Sequence, residues 1–184
     1  LSKFFNQQIP LFRLKHDVQQ AKYLKSKNYK IDGLEEFNKI GEEILNRREN
    51  KESKNNFNKK ILLKENEIKF LSPFYKTNYI YKTSNISNGV INPDKNWGKI
   101  EMEYLNSPNQ IIYIDNFLGE KAIQEIREFC LVSKLWFHEF NNKYLGSFSE
   151  SGFISPIHWQ IATELQKKLP RLFGKYNLGK FWGF

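Results

Sequence analysis

The stretch IIYIDNFLGEKAIQEIREFC, residues 111–130, decides how this chain is read. Its first four residues form a short apolar run with the β-branched and aromatic content of a buried strand. Asp115 and Asn116 then supply the residue types that turn a chain, because their short polar side chains bond to nearby backbone and tolerate left-handed φ/ψ. From Leu118 onward the apolar residues return at helical spacing. Leu118, Ala122, Ile123, Ile126, Phe129 and Cys130 share one face, which predicts a helix over 119–133. A strand, a tight turn and an amphipathic helix in so short a span place a sheet against helices, and the fold class expected is α+β.

Working outward toward the C-terminus, LWFHEF (135–140) and KYLGSF (143–148) are aromatic and strand-like. SPIHWQIATELQKKL (155–169) predicts a second helix, with Ser155 as cap, Pro156 in the first helical position and a stripe of Ile157, Ile161, Leu165 and Leu169. Pro170 is expected to end it. The last ten residues, KYNLGKFWGF (175–184), read as the opening of another buried strand through Phe181, Trp182 and Phe184. Toward the N-terminus, IEMEYL (100–105) and YKTNYIYKT (75–83) alternate as strands do, SNISNGVINPDKNWGK carries turn signals, and ILLKENEIKFL is open between helix and strand. RENKESKNNFNKK (48–60) is charged, Asn-rich and almost free of apolar residues, which suits a linker.

Ahead of it, residues 10–27 set Leu11, Leu14, Val18, Ala21 and Leu24 on a helical face behind Pro10. IDGLEEFNKIGEEILNRR predicts a second helix capped by Asp32, with Leu34, Phe37, Ile40 or Gly41, Ile44 and Leu45 facing inward. Together they make a helical hairpin resembling one tetratricopeptide unit, but no second copy follows at the ~34-residue period of an array. The expected division is a helical segment over 1–50, a linker over 51–70 and a strand-and-helix domain over 71–184.

Of the 184 residues, 40% are hydrophobic and 16% aromatic, enough to bury a core. A single cysteine, Cys130, excludes an internal disulfide framework. No apolar run approaches the ~20 residues of a membrane helix, and the first ten residues lack a signal-peptide core, so a cytoplasmic chain with no membrane contact is expected. Because the sequence starts at Leu1, it is expected to begin inside a longer protein. The net charge of +9 is uneven: residues 1–92 hold 18 Lys and Arg against 10 Asp and Glu, residues 93–184 hold 11 against 10. The excess is mostly Lys among Asn and Glu, as on a solvated surface, whereas groove readers lean on Arg, so nucleic acid is not the favoured partner. The alternative function is a basic interaction module whose helical hairpin binds an acidic protein or a nucleic acid.

Catalytic patterns are missing. His16 adjoins Asp17 in a helix, where neighbours point about 100° apart and cannot ligate one ion together. His138 sits in an aromatic strand beside Glu139 and His158 beside Trp159, and no pair has metal-ligand spacing. Neither a G-x-S-x-G elbow nor a phosphate-binding glycine motif occurs, and Cys130 on its helix's apolar face is expected to be buried and inert.

The run IIYIDNFLGEKAIQEIREFC resembles the entry to the jelly-roll core of iron(II)- and 2-oxoglutarate-dependent dioxygenases of the prolyl-hydroxylase-like type. The stretch from LWFHEF to FWGF is similar to members in which a tetratricopeptide-like segment precedes that core, and IPLFRLKHDVQQAKYL resembles the start of that segment. The resemblance implies a parent oxidoreductase that hydroxylates its substrate with Fe(II), O2 and 2-oxoglutarate, and an incomplete double-stranded β-helix in this chain. It also implies an H-x-D pair and a distal His as iron ligands, with a basic residue for the cosubstrate. No residue here matches those positions, so no catalytic, metal or cofactor-binding residue is assigned. The chain is expected to be an inactive N-terminal part ending ahead of its active site. The residues expected to line the substrate pocket are Trp182 and Phe184, of one strand parity, with Tyr144 and Phe148 at the rim.

Overall fold

The structure, a computed structural model, describes residues 7–49, 60–140 and 142–184. Among them are seven helices and two small antiparallel sheets, so the α+β class is borne out, with strands only two to four residues long. The chain divides into two compact units, one made of Leu1–Ile80, Leu131–Ser147 and Phe184, the other of Tyr81–Cys130 and Phe148–Gly183.

The first unit is built on a helical hairpin. β1 (Gln8–Pro10) pairs antiparallel with β2 (Lys60–Leu62), Ile9 opposite Ile61, and leads directly into α1 (Leu11–Ser26). The expected face of α1 is the buried one: Leu14, Val18, Ala21 and Leu24 are sealed from solvent. α2 (Leu34–Glu49) returns along it, with Phe37 and Ile44 buried, and Gly41 lets the helices approach so closely that a Cβ there would meet Val18 Cγ2 at 2.5 Å. The entry to α2 differs from expectation. Asp32 does not cap it; Gly33 at φ +74° starts it, and a Cβ at Gly33 would strike Phe74 N at 2.6 Å.

α3 (Glu65–Lys76) packs against α2, Phe74 meeting Phe37 with ring centroids 4.3 Å apart, and the Lys64 N–H donates to Glu67 Oε2 at 2.9 Å. β2 and α3 thus fill 60–62 and 65–70 of the stretch expected as linker; residues 50–59 lie outside the described residues. ILLKENEIKFL is both things in turn, a strand and then a helix. A hairpin of β3 (His138–Glu139) and β4 (Leu145–Phe148) follows, with His138 opposite Gly146 and Glu139 opposite Leu145.

The second unit centres on Ile86, Val90, Ile91, Trp97, Ala122, Ile157 and Leu169. Its helices are α4 (Trp97–Asn106), α5 (Glu120–Val132), α6 (Pro156–Lys168) and α7 (Pro170–Phe173), and its last strand is β5 (Trp182–Gly183). The final two residues of α5 belong to the first unit. Three expected strands are absent. IEMEYL lies in α4, because Asn96 accepts the Lys99 N–H at 3.0 Å as a helix cap and Trp97 and Glu101 turn inward one helical turn apart. IIYI and YKTNYIYKT run without a ladder partner: Ile111 is 62% and Tyr113 91% exposed, and regular structure stops at Lys76. Ser155 does precede α6, but its hydroxyl turns to His158 and not to a backbone N–H; α6 ends ahead of Pro170 as expected, and Pro170 opens the short α7.

Candidate functional site

Arg13 and Asp17 stand one turn apart on α1, a spacing that brings their side chains together. Such pairs are usually solvated, but both of these are buried. Arg13 Nε donates to Asp17 Oδ2 at 2.7 Å, the Tyr75 hydroxyl donates to the same oxygen at 2.8 Å, and His16 Nδ1 lies 3.0 Å from Oδ1. Lys134 completes the group. Its Nζ sits 4.0 Å from the Phe74 ring centroid and donates to the carbonyls of Phe74 and Thr77, the latter at 2.7 Å, at the C-terminal end of α3. Gln20 on α1 donates to the Leu131 and Ser133 carbonyls at 3.1 and 3.0 Å, so two side chains tie the Leu131–Leu135 segment to α1 and α3.

Electrostatics binds the group. Burial opposes the Asp17 carboxylate, but the Arg13 guanidinium and His16 outweigh it and hold its pKa below the ordinary value. Burial likewise opposes the Arg13 charge and is outweighed by Asp17 and Tyr75, so its pKa is raised. The Tyr75 hydroxyl is pushed well above 10 by burial and by the Asp17 charge, and Lys134 is pulled down to about 8, chiefly by burial. Arg13, Asp17, Gln20, Phe74, Tyr75 and Lys134 line a cleft with Leu135, Trp136 and Phe137. Its volume, about 10 Å³, is room for a water and far below the ~300 Å³ at which small-molecule pockets begin. The arrangement is chemically a staple between helices: Arg13 and Asp17 neutralise each other, and Lys134 is satisfied by carbonyls and the Phe74 ring. Sequence reasoning missed it: the i,i+4 spacing of Arg13 and Asp17 was the only local signal.

The residues expected to line a pocket are placed differently from one another. Tyr144, 39% exposed, stacks on Phe140 with centroids 4.6 Å apart, and Phe184, 64% exposed, meets both rings edge-on at 5.6 and 5.5 Å within the first unit. Trp182 and Phe148 belong to the second unit, where Trp182 is 59% exposed and Phe148 half-buried at the end of β4. The other parity of the terminal strand turns inward: Phe181 lies edge-on to His158 at 4.9 Å, and Gly183 lies so close to Phe153 that a Cβ would come within 2.7 Å of its ring.

An iron site of the implied kind needs two imidazoles and a carboxylate around one point. The residues present do not fit it: among the described residues no group of three His, Cys, Asp or Glu side chains could hold a metal ion. His16 is turned to Asp17, and His158 is buried with Nδ1 2.8 Å from Ser155 Oγ. Cys130 is half-buried, its thiol pKa raised by burial, which makes it a poorer nucleophile. Among the described residues no helix is long and apolar enough to cross a membrane. Comparison of the chain with protein-family models, with curated proteins and with solved structures finds no match.

Proposed function

We propose that this chain supplies scaffold to an iron(II)- and 2-oxoglutarate-dependent dioxygenase: a tetratricopeptide-like helical hairpin and the helices that support a jelly-roll core. The observation supporting this reading is the turn at Asp115–Leu118. Asn116 takes φ +50° and its carbonyl accepts Asn92 Nδ2 at 3.0 Å; the Phe117 carbonyl accepts the Asn92 N–H at 3.0 Å, and Leu118 bridges to Ile91. The chain then enters α5 with the Gly119 N–H on the Val90 carbonyl at 2.9 Å, which sets Ala122 into the same core as Ile157 of α6. The residues of this turn and of α5 are among those on which the family resemblance rests.

On this reading α5 and α6 brace the parent's sheet and do no chemistry, and the Arg13–Asp17–Tyr75–Lys134 group ties α1, α3 and the Leu131–Leu135 segment together. Iron and 2-oxoglutarate would be held by ligands other than the residues described above, with O2 as the oxidant. A role for the hairpin as a polyanion binder is weakened by its own ion pairs, Lys22–Glu42 at 2.8 Å and Lys25–Glu35 at 2.6 Å, which tie up basic side chains. The test is turnover. The product of the complete reading frame, reconstituted with Fe(II), is expected to convert 2-oxoglutarate to succinate in an oxygen-dependent way, and residues 1–184 alone are not. Absence of succinate from the complete product, with salt-sensitive binding of a polyanion to the hairpin, would replace this reading with the interaction module.

A further inference from the structure

His158 lies in the first turn of α6 and is the hub of an aromatic cage in the second unit. Its ring meets Phe129 of α5 at 5.4 Å, Phe153 at 5.1 Å and Phe181 at 4.9 Å, so three separate stretches of chain converge on one imidazole. Nδ1 is satisfied by Ser155 Oγ at 2.8 Å, and the residue is 5% exposed. The terminal segment has other ties in the second unit: the Ser149 N–H donates to the Phe181 carbonyl at 2.9 Å, Trp159 of α6 meets Phe181 edge-on at 6.5 Å, Gly183 rests on Phe153, and Lys180 pairs with Glu150 at 2.7 Å in an exposed position.

This cage suits a neutral imidazole. An imidazolium would be a buried charge at the N-terminal end of a helix, where free N–H groups are already positive. The ionisable groups on the packed elements offer no relief. On α6, Glu164 is committed to the Val90 and Ile91 N–H groups at 2.9 Å; on the terminal segment and its neighbour, Lys180 and Glu150 neutralise each other. On α5, Cys130 stays a neutral thiol, and Glu128 immediately precedes the buried Phe129. Burial is the cause that lowers the His158 pKa below its ordinary 6.5.

We propose that His158 is an acid-sensitive latch: on taking up a proton it leaves its cage and frees the Phe181–Gly183 segment from α6. The sign follows from linkage. The caged imidazole binds a proton more weakly than the released one, so protons favour release; the latch is at full strength above about 6.5 and weakens as pH falls through the caged value. The device is independent of the dioxygenase reading.

Hydrogen exchange at the Ser149 amide, corrected for its intrinsic rate, reads the latch directly in the 184-residue chain. Between pH 7 and pH 5.5 its protection is expected to fall, by at most about eightfold, the ceiling set by an imidazole of ordinary pKa in the released state. His158→Gln keeps a hydrogen-bonding partner for Ser155 without titrating, and its protection is expected to stay flat. Unchanged protection in the parent chain, or an equal fall in the variant, overturns the proposal. Should the variant fail to fold, an NMR titration of the parent imidazole decides: a midpoint below 6.5 that coincides with loss of Ser149 protection supports the latch, and any other result overturns it.

Discussion

Replacing Asp17 by Asn keeps the shape of the side chain and removes its charge, which leaves the buried Arg13 guanidinium without its counter-ion. Asp17 Oδ2 takes two hydrogen bonds, from Arg13 at 2.7 Å and Tyr75 at 2.8 Å, and Oδ1 faces His16 at 3.0 Å. Breaking a buried ion pair by removing one partner costs about 3–5 kcal/mol, because the remaining charge stays desolvated. The loss should fall at the strong end of hydrogen-bonded pairs, since both side chains are at most 8% exposed. Urea unfolding, followed by a probe in the first unit and one in the second, measures it without assuming that the two units unfold together. The double variant Arg13→Met, Asp17→Leu supplies the control: with both charges gone it is expected to recover most of the loss, apart from about 1–3 kcal/mol for a Tyr75 hydroxyl left without an acceptor. A change under about 0.5 kcal/mol for Asp17→Asn, the size of an ordinary surface substitution, would refute the staple.

Lys134 provides a pH test of the same group. Its pKa is about 8 in the folded chain against 10.5 for a free lysine, so between those values the unfolded chain binds the proton more tightly and stability rises with pH. The slope of urea midpoint against pH from 8 to 10 should therefore be more positive in the parent than in Lys134→Met, where the raised pKa values of Tyr75 and Cys130 are left to act in the opposite sense. In the second unit, Glu164→Ala removes the acceptor for the Val90 and Ile91 N–H groups, each at 2.9 Å. A loss of about 1–3 kcal/mol is expected by thermal or urea unfolding, with the loss reduced if water reaches those amides.

The parts of the fold legible in the sequence are those where one helix face meets one core. Leu14, Val18 and Ala21 in α1, and Ala122 and Phe129 in α5, are apolar at helical spacing and are buried. α4 was illegible because its inner face contains an acid. Glu101 alternates with Glu103 as on a strand's wet face, yet it is buried and accepts the Arg171 and Leu172 N–H groups at 2.8 and 3.2 Å. IIYI has the composition of a strand, but a strand exists only where a ladder partner does, and composition cannot supply one. The ionic group was half legible: the Arg13–Asp17 spacing is local, while Tyr75 arrives 58 residues after Asp17 and Lys134 from a separate stretch again. Nothing in α1 foretells that its polar pair is to be covered. In the terminal strand Phe181 and Gly183 turn to His158 and Phe153 while Trp182 is exposed, and the close fit of Gly183 on Phe153 is a tertiary contact that strand alternation alone does not foretell.

Iron content tests the scaffold reading most directly. The complete reading-frame product, purified without oxygen, loaded with Fe(II) and freed of excess, is expected to retain stoichiometric iron, while residues 1–184 treated in parallel retain none. Stoichiometric iron on residues 1–184 alone, or none on the complete product, would contradict the account.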